Sequence, residues 1–216
     1  MNKIMFNDRF NLTKLVLEGI KTHTRRLELD CNIRFYLYNY EGSYPKIEDN
    51  KICIYSDDGY LLVTRNTRYK IREEVAIAQS YSQCGNFPDY ELDEDGYPVM
   101  PKRSGYFNKM LVKAELMPYR IRITNIKIER MQDISDEDCL KEGITEVSGE
   151  FEAHTVLQNG YYGERLRVIK RYYGIQYYEL GESPREAYGT LIDKISGKGT
   201  WESNPYVIVY EFELIK

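Results

Sequence analysis

The chain has 216 residues, 42% of them apolar, which is enough to bury a real core in one elaborated domain. Its net charge of −4 excludes a protein that draws in polynucleotide by overall field; a nucleic-acid contact then needs a local basic patch, while a nucleotide-sized ligand stays open. The four cysteines lack CxxC spacing and the two histidines lie far apart, so no zinc site, disulfide framework or cofactor is indicated, and no run reaches the roughly 18 apolar residues of a membrane span.

Without an apolar leader at "MNKIMFNDRF", the expected setting is reducing and cytoplasmic. Residues 8–18 then carry Phe10, Leu12, Leu15, Val16 and Leu17 at helical spacing, with Asn7 or Asp8 to cap the start and Gly19 suited to the left-handed position beyond the end. That predicts a short helix, with "KTHTRR" as the loop leaving it. "KICIYS" and "YLLVTR" are β-rich and joined through Asp58-Gly59, which predicts a hairpin over 51–65.

"EEVAIAQSY" at 73–81 reads as a buried strand, and the acidic, Gly- and Pro-containing stretch 85–105 as a long loop. Along 119–131, Ile121, Ile123, Ile126 and Ile128 alternate with polar residues except for one slip at Thr124-Asn125, so a strand with a bulge or bend is expected there. "ISDEDCLKEGI" offers Ser135 as N-cap, acidic residues in the first turn and Gly143 past the end, the pattern of a short helix. "YVIVYEFELI" alternates like a closing strand.

Tyrosine is the unusual residue, with 21 against 7 Phe and 1 Trp, and it points to half-exposed rings whose hydroxyls stay wet. Three tyrosine pairs, Tyr161-Tyr162, Tyr172-Tyr173 and Tyr177-Tyr178, stand among Arg165, Arg167, Lys170 and Arg171. Aromatics interleaved with cations can stack bases, and equally they can pack on a core or meet a protein partner through residues 161–178.

Three segments together resemble the ASCH domain, a relative of the PUA fold, in its longer phage and prophage form: "LEGIKTHTRRL" at 17–27, "MPYRIRITNIKIERMQDISDEDCLKEGI" at 117–144 and "GKGTWESNPYVIVYEFELI" at 197–215. The resemblance implies an α+β fold, a PUA/ASCH-like mixed β-barrel flanked by short helices, in a single domain over 1–216. Insertions are expected at about 32–68 (the hairpin), 85–105 (the loop) and 148–190 (the Tyr-rich stretch). Trp201, Asn204 and Pro205 are expected to shape a turn before the last strand. The chain departs from the family where relatives carry a segment like Gly-Asp-x-Leu-Trp-Val-Arg-Glu-x-Trp: Arg72, Ala78, Gln79 and Tyr81 stand in place of its Gly, Arg, Glu and final Trp.

Some small bacterial ASCH proteins are amidohydrolases that deacylate the exocyclic amine of cytidine, and the resemblance implies Lys21, Thr24 and Glu142 as the matching residues for an N(4)-acetylcytidine-like substrate. A threonine hydroxyl needs a base in reach; Lys21 can serve if burial or Arg25 or Arg26 lowers its pKa, with Glu142 orienting it. The same stretch also suits binding without catalysis, since Lys21, Thr22, Thr24, Arg25 and Arg26 offer hydroxyls and guanidinium forks to a nucleotide, modified nucleoside or RNA. On residue types alone the stretch reads first as solvated cations behind a helix C-terminus, and it is the family resemblance that demotes that reading. His23 is read as a bystander, and no metal or membrane partner is expected.

Overall fold

The computed structural model describes residues 1–84, 93–96, 105–156, 162–175 and 178–215, with the side chains of 147–172 and 175–180 outside that description. In chain order the elements are β1 (Lys3–Ile4), α1 (Leu12–Leu17), β2 (His23–Arg26), α2 (Cys31–Asn39), β3 (Tyr44–Glu48), β4 (Lys51–Tyr55), β5 (Leu61–Asn66), β6 (Glu74–Ile77), α3 (Tyr81–Cys84) and β7 (Arg120–Arg130). There follow α4 (Asp136–Lys141), β8 (Thr145–Val156), β9 (Tyr162–Ile175), β10 (Tyr178–Gly181), α5 (Pro184–Ser196), α6 (Thr200–Ser203) and β11 (Tyr206–Ile215). The chain divides into two compact units, 1–131 with 205–216, and 132–204. No helix among the described residues is long and apolar enough to cross a membrane.

The first unit is built on a five-stranded mixed sheet in the order β1-β6-β7-β11-β2. β1 runs parallel to β6, pairing Ile4 with Ile77, and the other neighbours are antiparallel. Alternation along β7 buries Ile121, Ile123 and Ile126, whereas β11, between β7 and β2 in the sheet, is buried on both faces from Val207 to Tyr210 and again at Phe212. The slip foreseen at Thr124-Asn125 is a register shift: Glu211 faces Asn125 and Phe212 faces Ile123, leaving Thr124 as the extra residue. β1 and β2 are the two edges, and no closed barrel is seen among the described residues.

A second, antiparallel sheet of this unit runs β3-β4-β5. The expected hairpin is its β4-β5 half, turning at Gly59 with a φ of 83°. β3, which the sequence reading did not separate, pairs in front of it. Ile33 and Leu37 of α2 are buried, as are Ile52 and Ile54 of β4. Asp30 starts α2 by accepting a hydrogen bond from the Ile33 N–H at 2.8 Å.

Two expectations about the N-terminal part change. The helix predicted over 8–18 is a 3-10 turn at Asp8–Phe10 followed by α1, separated by Asn11 in the left-handed region at a φ of 54°. Asn tolerates that conformation better than most side chains, which is why the helical spacing survives while the helix itself is interrupted. The stretch expected as a loop, "KTHTRR", supplies a strand instead: His23–Arg26 is β2, hydrogen-bonded to β11. The strand expected over 73–81 ends at Ile77, and its remaining residues lead buried into the single turn of α3. Most of the 85–105 loop lies outside the described residues.

The second unit holds an antiparallel sheet, β8-β9-β10, with α4, α5 and α6. Ser135 caps α4 by accepting from the Asp138 N–H at 3.1 Å, and Gly143 follows the helix at a φ of 103°, as expected. Helix α5 was not anticipated, although Ser183-Pro184-x-Glu186 is a helix-start signature. Its apolar stripe, Pro184, Ala187, Tyr188, Leu191 and Ile192, recurs at intervals of three and four and is buried. Trp201 meets Tyr188 edge-on at 6.0 Å, and Asn204 adopts a left-handed φ of 43° before β11.

Candidate functional site

The geometry of the Lys21–Arg26 stretch follows from its being a strand. Arg26 pairs with Ile208, Arg25 with Val209, Thr24 with Tyr210 and His23 with Glu211. Side chains alternate across a sheet, so Thr24 and Arg26 share one face with Ile208 and Tyr210, whereas His23 and Arg25 share the other with Val209 and Glu211. The two arginines expected to act as one guanidinium cluster are thus divided between opposite faces.

On the His23 and Arg25 face the charges form a ladder across three strands. Arg25 donates from Nε at 2.9 Å and from Nη2 at 2.7 Å to the same oxygen, Oε1 of Glu129 on β7. Its side chain is fully buried, so this is a desolvated pair with a partly hydrated carboxylate. Glu211 lies 3.8 Å from His23 Nε2 and also pairs with Lys127. Burial works against the Glu211 charge, but hydrogen bonding and attraction from Lys127, with the nearby His23, hold its carboxyl below the usual range. His23, read as a bystander, is buried in this ladder, and Thr22 Oγ1 lies 3.0 Å from its Nδ1.

On the opposite face Arg26 donates from Nη2 to the Met5 carbonyl at 2.6 Å and lies over the Phe6 ring at 5.6 Å. Its Nε is buried without a hydrogen-bond partner. Tyr210 packs against Tyr69 with ring centres 5.0 Å apart. Burial first, and then the charge of Glu28, push the Tyr210 hydroxyl well above its ordinary pKa.

Lys21 and Thr24 are both buried in the first unit, at 3% and 5% exposure. Glu142 belongs to the second unit, where it caps the C-terminus of α4 and is also buried. The tyrosine-rich stretch 161–178 supplies β9 and the start of β10, but Tyr161, Gln176 and Tyr177 lie outside the described residues, as do most of its side chains. A partner surface there therefore has no described side-chain geometry.

A pocket of about 290 Å³ opens elsewhere in the first unit, lined by Asp8, Asn11, Thr13, Lys14, Leu17, Gln79 and Gln83. Asp8 is neutralised by Lys109 at 2.8 Å and accepts the Thr13 hydroxyl. Gln79, singled out from the sequence only as a departure from a family pattern, is 8% exposed, and its Oε1 has no hydrogen-bond partner. The ladder partners Glu129, Lys127 and Glu211 and the pocket residue Thr13 escaped the sequence reading, which took Asp8 only as a candidate helix cap. Only the two-residue spacing of Lys127 and Glu129 within an alternating strand hinted at a charged face. Comparison with protein-family models, with curated proteins and with solved structures gave no match.

Proposed function

We propose that this is an ASCH-like, PUA-like nucleotide-binding protein whose ligand is a nucleotide or modified nucleoside held at the Lys21–Thr24 stretch. The observation that carries the reading is the burial of Lys21 and Thr24, at 3% and 5% exposure, within the segment that resembles the ASCH motif. Taking an ammonium out of water costs several kcal/mol before its partners compensate, and such groups are concentrated where charge performs a task. A polynucleotide track asks for exposed cations instead. The engagement of Arg25 with Glu129 makes Arg25 a support of the site, which favours a small ligand over an RNA backbone.

The test is calorimetric titration of the full chain with cytidine, cytidine monophosphate, N(4)-acetylcytidine and a short oligoribonucleotide. A small ligand is expected to bind, and Lys21→Met and Thr24→Val to weaken it by roughly tenfold or more, about 1.4 kcal/mol, with folding retained. Binding unaffected by both substitutions would remove the proposal. Acetate release from N(4)-acetylcytidine in the same samples decides the amidohydrolase alternative through Lys21, Thr24 and Glu142. Release that continues at full rate in Thr24→Val rules out Thr24 as nucleophile.

A further inference from the structure

The outer face of α2 departs from the pattern of a surface helix. Ile33 and Leu37 turn inward and are buried, which leaves Cys31, Arg34, Phe35 and Tyr38, at intervals of three and four, on the face toward water. Such a face ordinarily carries polar and charged side chains. Here Phe35 is 54% exposed and Tyr38 52%. Ring contacts extend the patch: Tyr36 and Tyr40 lie 5.5 and 6.3 Å from Phe35, and Tyr206 lies 6.5 Å from Tyr38. These residues all belong to the first unit, and none belongs to the Lys21–Thr24 stretch. Aromatic surface left in water is unfavourable, and a contiguous patch of it marks an interaction site.

Charge, area and ring geometry restrict what covers it. Helix α2 has no acidic residue, and its one cation, Arg34, is exposed and without an ion-pair partner among the described residues. Asp30, just before the helix, is engaged by Arg65 at 3.1 Å, and Glu41, beyond its end, is exposed and forms no ion pair with Arg34. Arg34 therefore holds out a planar fork of donors, beside two exposed rings, to an incoming carboxylate. Phe35, Tyr38 and Tyr40, each about half exposed, offer on the order of 300 Å² of aromatic surface. A stable dimer needs about 800 Å² from each partner, so the patch suits a short segment better than a second copy of the chain. Stacked bases ask for flat, open rings. Phe35 instead meets Tyr36 edge-on at 87°, and the Arg130 guanidinium already lies over Tyr206 at 3.9 Å.

We infer that the outer face of α2 docks a short peptide segment of another protein, one that presents an aspartate or glutamate carboxylate to Arg34 and an apolar side chain to Phe35 and Tyr38. Rings of this kind with an arginine beside them are the residues that concentrate binding energy at protein interfaces. The assignment goes beyond the strand site and stands whether or not that site binds a nucleotide.

The experiment selects displayed random peptides on the immobilised full chain and titrates the enriched ones, as fluorescein conjugates, by anisotropy. The enriched peptides are expected to share an aspartate or glutamate close to a leucine or an aromatic residue. Arg34→Gln is expected to weaken them roughly tenfold, and so is exchange of the peptide's own acid for its amide. Made together, the two changes are expected to cost no more than either alone, because each removes the same ion pair. Phe35→Ser with Tyr38→Ser is expected to weaken binding at least as much, with the circular dichroism of the natural chain retained. The inference is overturned if no peptide is enriched, if the enriched peptides lack an acid, or if Arg34→Gln binds them at full affinity. Sedimentation that shows a dimer dissolved by Tyr38→Ser assigns the face to a second copy, and binding of an oligouridylate lost in Arg34→Gln assigns it to nucleic acid; either result overturns the peptide. Should the double serine variant not fold, the Arg34 and peptide-amide cycle decides alone.

Discussion

Replacing Arg25 by alanine tests whether this arginine supports the sheet or grips a ligand. Its guanidinium, with no side-chain exposure, donates twice to Oε1 of Glu129, whose side chain is 22% exposed. Removing one partner of a buried ion pair costs about 3–5 kcal/mol, because the remaining charge has neither water nor a counter-ion. Glu129 keeps some contact with water, so the expected cost is at the lower end, about 3 kcal/mol. With a urea dependence of about 2 kcal/mol per molar, the denaturation midpoint followed by circular dichroism falls by about 1.5 M. The double substitution Arg25→Met with Glu129→Met removes both charges and is expected to recover most of that loss. A midpoint lowered by less than about 0.5 M in Arg25→Ala, at an unchanged slope, refutes the supporting role and returns Arg25 to the candidate ligand contacts.

Three further outcomes are expected in the second unit. Ser135→Ala removes the side-chain acceptor of the Asp138 N–H and costs about 1 kcal/mol in chemical denaturation, with no effect meaning that water replaces the cap freely. Gly189→Ala is a favourable change in an ordinary helix by about 1 kcal/mol, but here the new Cβ falls 2.9 Å from the Trp201 ring; the overpacking, of about 1–3 kcal/mol, is expected to dominate, and a raised thermal midpoint shows that the ring yields instead. Asp193 accepts the N–H groups of Trp201 at 2.8 Å and Gly199 at 3.0 Å, and these hold its carboxyl below the usual range. The unfolded chain then takes up this proton first, so the contribution is present at neutral pH and is lost as pH falls below the ordinary aspartate range near about 4. Asp193→Asn is expected to flatten that part of an acid titration of stability, and an identical acid limb in both proteins contradicts the assignment.

The sequence by itself determined the features whose cause is local. Ser135 and Gly143 bracket α4 because a hydroxyl acceptor and a left-handed glycine act within a few residues of themselves. The Thr124 slip is visible because one extra residue reverses the alternation of isoleucines, and the Asp58-Gly59 turn because Gly59 takes a left-handed φ of 83° that few other residues accept. Helix α5 carried the same kind of signal, a Ser-Pro-x-Glu start and a three-four apolar stripe, and was legible though not read. What only the tertiary structure decided was pairing across long separations. "KTHTRR" has the composition of a loop and becomes a strand because β11, almost two hundred residues later, supplies its hydrogen bonds. That register, and nothing within the six residues, sends Arg25 to Glu129 and Arg26 to the Met5 carbonyl on opposite faces. It is also the packing of α1 and the segment after β6 within one unit that leaves Gln79 buried beside a pocket, since a side chain's partners depend on which distant surfaces close around it.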